Sequence, residues 1–328
     1  MRSFTESVAL LQSMAKISTT DTNNTALITQ FWNTSIRTIC SMRNGAWWFL
    51  ETTEDVATVA SQSAYAIPAT IRKVMSIYIT VGSGSTAVKY LPVPVFDDKT
   101  WDLILASRLA SSDVARFYRV TGNGKIEIQP TPSTTDNTIT VTGRLNVKDL
   151  SIADYTTGTV SSIANGGVAV VGSGTTWAAS MAGRYIRITE SDTANKGDGL
   201  WYKILSSGST TTITLFAPYE GTAIAAGAAA YKIGQMSPIP EAYEMAPIYR
   251  ALATYAQIND PLHPAVAQGW WKLYDGGQEA GLIQGMPQGL VGQMLESEGG
   301  TVEGAFIAPN NINWPIDPNC PPYNLTGF

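Results

Sequence analysis

The residues able to do chemistry in this chain are few and scattered. His263, the only histidine, stands between Leu262 and Pro264 where a helical pattern breaks. General-base catalysis needs such a ring positioned by a partner; nothing flanks His263 to do so, and it reads as a turn residue. No Gly-x-Ser-x-Gly elbow is present, and no flanking motif argues for a Ser-His-Asp set. Gly82-Ser-Gly-Ser and Gly172-Ser-Gly-Thr lie between strand patterns, with no helix and no Lys-Ser/Thr behind them, so they read as turns rather than phosphate loops. Paired acids could serve glycoside hydrolysis, which needs two carboxyls across the scissile bond. Asp97-Asp98, however, precedes a helix, where acids favour the macrodipole. Glu190, Asp192 and Asp198 fall in a polar loop at no recognisable Ca²⁺-ligand spacing. Cys40 and Cys320 are far apart and match no metal motif, which fits a reducing compartment without a disulfide between them. Catalytic, cofactor and metal sites are all expected to be absent.

The elements around these residues are organised for building. Of 328 residues, 14% are charged, low against a typical ~25%, and Ser and Thr carry much of the polarity. Charge-poor polar surface suits protein contacts. The formal charge is −5; with Arg72-Lys73 and Arg116/Arg119 as the densest basic spots, sequence-specific nucleic-acid binding is not expected. Residues 1–233 carry 19 basic and 17 acidic side chains, whereas 234–328 carry Arg250 and Lys272 against nine acids. An acidic end of this kind suits a basic partner. No apolar run reaches the ~18 residues of a membrane span, and the start does not read as a signal peptide.

Helix-like ends enclose a β-rich middle. Phe4–Ile17 reads as a helix, and the stretch 22–44 as a stronger one. Leu27, Ile28, Phe31, Trp32, Ile36, Ile39, Cys40 and Arg43 recur at helical spacing, with Asn33, Arg37 and Ser41 opposite. Asn44-Gly45 stops it, and Trp47, Trp48 and Phe49 follow as expected core anchors. Strands are expected at Ser63–Pro68, Lys73–Val81, Phe117–Val120, Lys125–Ile128 and Thr138–Arg144, with Gly122-Asn-Gly124 as a hairpin turn. A helix is expected at Asp97–Leu109. From Tyr155 to Gly234 turn signals recur about every ten residues, which predicts a small β-sandwich or barrel. Ser237-Pro-Ile-Pro-Glu241 opens a helix striped by Met245, Ile248, Tyr249, Leu252 and Ala256, and Pro264–Ile283 continues after a break. Gly269, Gly276, Gly277 and Gly281 in that last helix each cost about 1 kcal/mol relative to Ala, so close packing against a neighbour is expected there. From about Met286 the chain has no periodicity, yet Leu290, Val291, Met294, Leu295, Phe306, Ile307, Trp314 and Tyr323 fit a segment lying along another chain.

The fold class expected is therefore α+β: a helical bundle packed with a small antiparallel sheet, an inserted all-β sandwich or barrel, and an extended C-terminal tail. Residues 1–154 and 235–283 would form one discontinuous domain, 155–234 the insert and 284–328 the arm. Gly269, Trp270, Trp271, Gly277, Gly281, Leu290, Met294, Phe306, Trp314 and Tyr323 are the interface candidates.

The order of these motifs resembles the head-to-tail adaptor (connector) proteins of tailed bacteriophages, including the upper tail-tube proteins of short-tailed phages. The resemblance rests on the helix Leu27–Met42 running into Trp47-Trp48-Phe49-Leu-Glu51, on Tyr65-Ala-Ile-Pro68 with Ile71–Ile79, on Tyr118 through Lys125-Ile-Glu-Ile-Gln-Pro130-Thr-Pro132, and on Ile239-Pro-Glu241 opening paired helices. The insert, with Gly172-Ser-Gly-Thr-Thr-Trp177, Gly183-Arg-Tyr-Ile-Arg187 and Trp201-Tyr-Lys-Ile204, looks like an immunoglobulin-like or related virion module. The resemblance implies a homo-oligomeric ring, commonly a dodecamer, in the virion neck, assembled in the bacterial cytoplasm. Its implied partners are the portal protein and a tail, stopper or nozzle protein, and it implies no catalysis. Two other readings are a carbohydrate-binding virion protein, with Trp177, Trp201 and Tyr202 stacking on host glycan or the module meeting a tail fibre, and an adaptor with wall-degrading activity.

Overall fold

Three separate apolar cores organise the chain. The computed structural model describes residues 1–42, 46–82, 87–135, 137–189, 197–225, 227–259, 264–275 and 289–297.

The first core is helical. Helix α1 (Phe4–Ala15) begins with a capping box: the Ser3 hydroxyl accepts from the Glu6 amide, and the Glu6 carboxylate accepts from the Ser3 amide, a motif that satisfies two otherwise orphaned donors. Helix α2 (Thr22–Ser41) is capped by Asp21, which accepts from the Asn24 amide. Ile28, Trp32, Ile36, Ile39 and Cys40 of α2 are buried with Leu11 of α1 and with Ile248, Ala251 and Leu252 of α4 (Met245–Asn259). Trp47 is buried in the same core, and its indole N–H donates to the Ile39 carbonyl at 2.8 Å, which also accepts from the Met42 amide at the end of α2. Helix α5 (Pro264–Asp275) packs on α4 and sends Tyr274 into this core, and α6 (Leu290–Ser297) adds Val291 and Met294.

The second core lies between two four-stranded sheets. The strands are β1 (Glu51–Ala57), β2 (Ala64–Ala66), β3 (Ile71–Val81), β4 (Val88–Tyr90), β5 (Val93–Pro94), β6 (Phe117–Thr121), β7 (Lys125–Gln129) and β8 (Thr138–Leu145). One sheet runs β1-β8-β3-β4 and the other β2-β7-β6-β5. Ile77, Ile79, Ile139 and Val141 of the first pack with Tyr65, Tyr118, Ile126 and Ile128 of the second. Between β5 and β6 lies α3 (Asp98–Ala106), whose Trp101 is buried beneath the Arg119 guanidinium.

The third core belongs to β9 (Thr159–Ser162), β10 (Ala169–Ser173), β11 (Tyr185–Ile188), β12 (Trp201–Ser209), β13 (Thr212–Leu215) and β14 (Tyr231–Gly234), joined in the order β14-β11-β12-β13-β10-β9. The sheet curls until its edges meet through isolated bridges, Tyr155 with Ile233, Val160 with Ala229 and Ile163 with Ile224. Val160, Val170, Trp177, Ile186, Ile204, Ile213 and Ile233 fill it.

The molecule is thus mixed, with helices and several sheets, as the sequence leads one to expect; several details differ. Two four-stranded sheets stand where one small sheet was expected, because β1 and the short β4 and β5 lack a clear alternating signature. One strand pair, β5 with β6, is parallel. The strands β9–β14 form one curled sheet, whereas an immunoglobulin-like sandwich packs two sheets face to face; the connectivity gives that likeness no support. Trp48 is 60% exposed rather than a core anchor. Asn33, expected on the polar face of α2, is buried. Residues 290–297 are helical, not extended, since Val291 and Met294 reach the helical core one turn apart. No helix among the described residues is long and apolar enough to cross a membrane.

Candidate functional site

The residues that looked chemical and fall among the described ones are used structurally. Asp97 caps α3, accepting from the Thr100 amide at 2.9 Å and its hydroxyl at 2.8 Å, and these bonds hold its carboxyl below the usual range. Asp98 pairs with Arg119 at 3.2 Å. Asp198 accepts from the Leu200 amide and the Tyr202 hydroxyl. Burial and these acidic neighbours push the Tyr202 phenol up to about 12. Burial likewise raises the Cys40 thiol to about 12, which keeps it protonated and unreactive at neutral pH. His263, Glu190, Asp192 and Cys320 lie outside the described residues, as do residues 83–85 of the first glycine turn. Among the described residues no group of His, Cys, Asp or Glu could hold a metal ion.

The aromatics proposed for sugar stacking are not presented to solvent as a platform. Trp177 and Tyr202 are buried in the curled sheet, and Trp177 donates its indole N–H to the Tyr231 hydroxyl at 2.9 Å. The Trp201 ring carries the Arg187 guanidinium 4.7 Å from its centroid, and its N–H donates to the Met1 carbonyl.

The interface candidates divide into two groups. Trp270 stacks on Tyr249 of α4 at 5.9 Å, and Trp271 meets Tyr274 edge-on with Arg250 above both rings. Leu290 packs on the same helical core, and Met294 is fully buried in it. These four are therefore held by their own chain, at least in large part. Gly269 differs: it lies on the exposed side of α5, and a methyl built on it would meet no atom within 4 Å. The close approach expected at Gly269 is not made by any described residue. Gly276, Gly277, Gly281, Phe306, Trp314 and Tyr323 lie outside the described residues.

Two arrangements escaped the sequence reading. The first joins the helical core to the curled sheet through the chain start. Glu6 of α1 accepts from Arg187 at 2.7 Å and Lys232 at 2.9 Å, on β11 and β14. Burial works to raise the Glu6 carboxyl; the Lys232 and Ser3 hydrogen bonds and the charges of Arg187 and Lys232 outweigh it and hold it below its ordinary value. The Ser3 hydroxyl donates to Asp154 at 2.6 Å, and the Phe4 amide to the Gln235 carbonyl. Buried Asn33 donates to the Leu150 carbonyl and accepts from the Leu150 amide, both at 2.9 Å, fixing the strand as it leaves for the curled sheet. Partners more than a hundred residues apart leave no local signal; only Ser3-x-x-Glu6 was readable, as a capping box.

The second is an apolar arm after β4. Leu91 is 80%, Phe96 94% and Leu103 71% exposed. These are the three most exposed of the large apolar side chains on the described surface. The described surface therefore offers contact area and no reactive constellation.

Residues 7–168 match the family model of the SU10 adaptor protein. Over this stretch, just under half of the chain, the sequence is similar to that adaptor family. These are structural phage proteins, head-to-tail adaptors rather than a known enzyme family. The match begins inside α1, takes in both four-stranded sheets, and runs through β9 into the curled sheet. Helices α4, α5 and α6 lie beyond it, so the part of the resemblance carried by Ile239-Pro-Glu241 is not covered. No curated protein matches the chain.

Proposed function

We propose that this chain is a structural virion protein that forms a ring in the neck of a phage, binding the portal on one face and a tail component on the other. The observation that carries this reading is the adaptor-family match over α1 to β9. The described surface agrees with it, since exposed apolar side chains and low charge suit assembly. The curled sheet is read as a module inserted between Leu150 and Gln235, with the chain start clamping it to the helices. The segment 298–328, which holds Glu298, Glu303 and Asp317 and no Lys or Arg, is read as reaching a basic surface of the portal.

Light scattering on the protein alone and after mixing with purified portal rings tests the reading. A fixed multiple of chains joining each portal supports it. A chain that stays monomeric beside the portal refutes it. Removal of 298–328, leaving α6 intact, is expected to weaken portal binding; unchanged binding refutes the role of that segment. The sugar-binding reading has lost Trp177 and Tyr202 to the core of the curled sheet, and half-buried Trp201 is engaged by Arg187 and the Met1 carbonyl.

A further inference from the structure

The sheet β1-β8-β3-β4 carries opposite charge on its two edges. Edge strand β1 holds Glu51, Glu54 and Asp55 and no basic residue; β3 and β4 at the other edge hold Arg72, Lys73 and Lys89 and no acid. Both edges are open among the described residues. β1 pairs only with β8, and β4 covers only Ile79–Val81 of β3, leaving the backbone from Arg72 to Tyr78 without a strand on its outer side. Glu51, Asp55, Arg72, Lys73 and Lys89 are all exposed. None of the three cations forms a salt bridge with a described residue, although Lys89 sits 4.6 Å above the Tyr78 ring. One pair matches in level, for Glu51 and Lys73 are both register partners of Arg144 on β8, whose guanidinium lies 3.8 Å from the Glu51 carboxylate. A sideways step from one sheet to the next would set Glu51 against Lys73, with Asp55 level with Tyr78, two positions from the level of Lys89.

We propose that copies of this chain associate head to tail through these edges, the acidic β1 edge of one copy meeting the basic β3–β4 edge of the next. Two different surfaces on opposite sides of one sheet make a heterologous contact, the kind that generates rings when the rotation closes. The apolar segment follows β4 in the chain, running from Leu91 to Phe96 through β5, which pairs with β6 of the other sheet. An aromatic side chain alone buries about 200 Å², a useful share of the ~800 Å² per partner in a standard interface. An open strand edge also invites pairing with another chain. The inference rests on the ring reading above and names the surface that would make the ring.

A charge swap tests it. Variant E51K/D55K has two basic edges, and R72E/K73E has two acidic ones. Each alone is expected to associate on the order of a hundredfold more weakly than wild type, because like charges across an interface cost several kcal/mol. An equimolar mixture is expected to assemble again, as alternating copies, and this rescue shows that both variants are folded. Raising the salt from 0.1 M to 1 M shortens the screening length from about 10 to about 3 Å and should dissociate the wild-type assembly. Masses are read by sedimentation, alone and with portal rings. Wild-type assembly that both variants reproduce overturns the proposal, and so do variants that fail singly and fail when mixed. A wild type that never assembles, with or without portal, refutes the ring reading instead.

Discussion

Replacing Asn33 by Ala removes the one side chain that satisfies both polar groups of the Leu150 backbone. Both bonds are 2.9 Å long, and Asn33 and Leu150 are both buried, so water has poor access to the groups left behind. An orphaned buried donor or acceptor costs about 1–3 kcal/mol, so the pair should cost about 2–5 kcal/mol. For a unit of 150–250 residues each kcal/mol lowers Tm by roughly 2–4 °C, which gives a fall of about 4–20 °C. Urea unfolding followed by circular dichroism measures the loss, and hydrogen exchange at the Leu150 amide locates it. Gln235→Ala is the control. The Gln235 carboxamide oxygen accepts from the Ser151 and Ile152 amides on the same linker, but at an exposed site where water can take its place; its loss should stay within roughly 1 kcal/mol. If Asn33→Ala costs less than Gln235→Ala, with the Leu150 amide still protected, then the buried pair does not hold the linker.

Three further outcomes are expected. Trp177→Ala should destabilise the curled sheet by about 3–5 kcal/mol, as truncation of a buried Trp does, while leaving any binding to host polysaccharide on a glycan array unchanged; a loss of sugar binding without loss of stability would return Trp177 to a surface role. Gly269→Ala meets open space and should stabilise the isolated chain by about 1 kcal/mol through helix propensity; if it instead blocks assembly, a neighbouring copy approaches α5 closely, and a destabilised isolated chain would contradict the exposed placement. Because the folded Glu6 carboxyl titrates below its ordinary value of 4.5, its contribution is fully present above pH 4.5 and is lost as the pH falls through the lowered value. Glu6→Gln should therefore cost stability at pH 7 and flatten the acid side of the stability profile; an unchanged acid limb would rule out the link from Glu6 to Arg187 and Lys232.

What the sequence by itself determined is periodic and local. The stripe from Ile28 to Cys40 made α2 legible, since helical spacing needs no knowledge of partners. Gly122-Asn-Gly124 announced the β6–β7 hairpin because positive φ is required there, and Gly124 adopts it at 76°. Turn signals every ten residues announced a β module after Tyr155. The lack of any chemical motif, together with the motif order, pointed to the adaptor family.

Tertiary structure decided whatever depends on distant partners. Asn33 looks polar and outward in the pattern; the Leu150 backbone, 117 positions away, makes burial favourable by taking both of its hydrogen bonds. Leu290–Ser297 is too short to show a period, and burial of Met294 against α4 and α5 makes it a helix. Trp48 and Trp47 are neighbours of the same type, yet one lies in the helical core and the other in solvent, because the chain turns between α2 and β1. The opposed charges of β1 and β3–β4 are ordinary residues in sequence; they become the two sides of one surface only when β8 is placed between them.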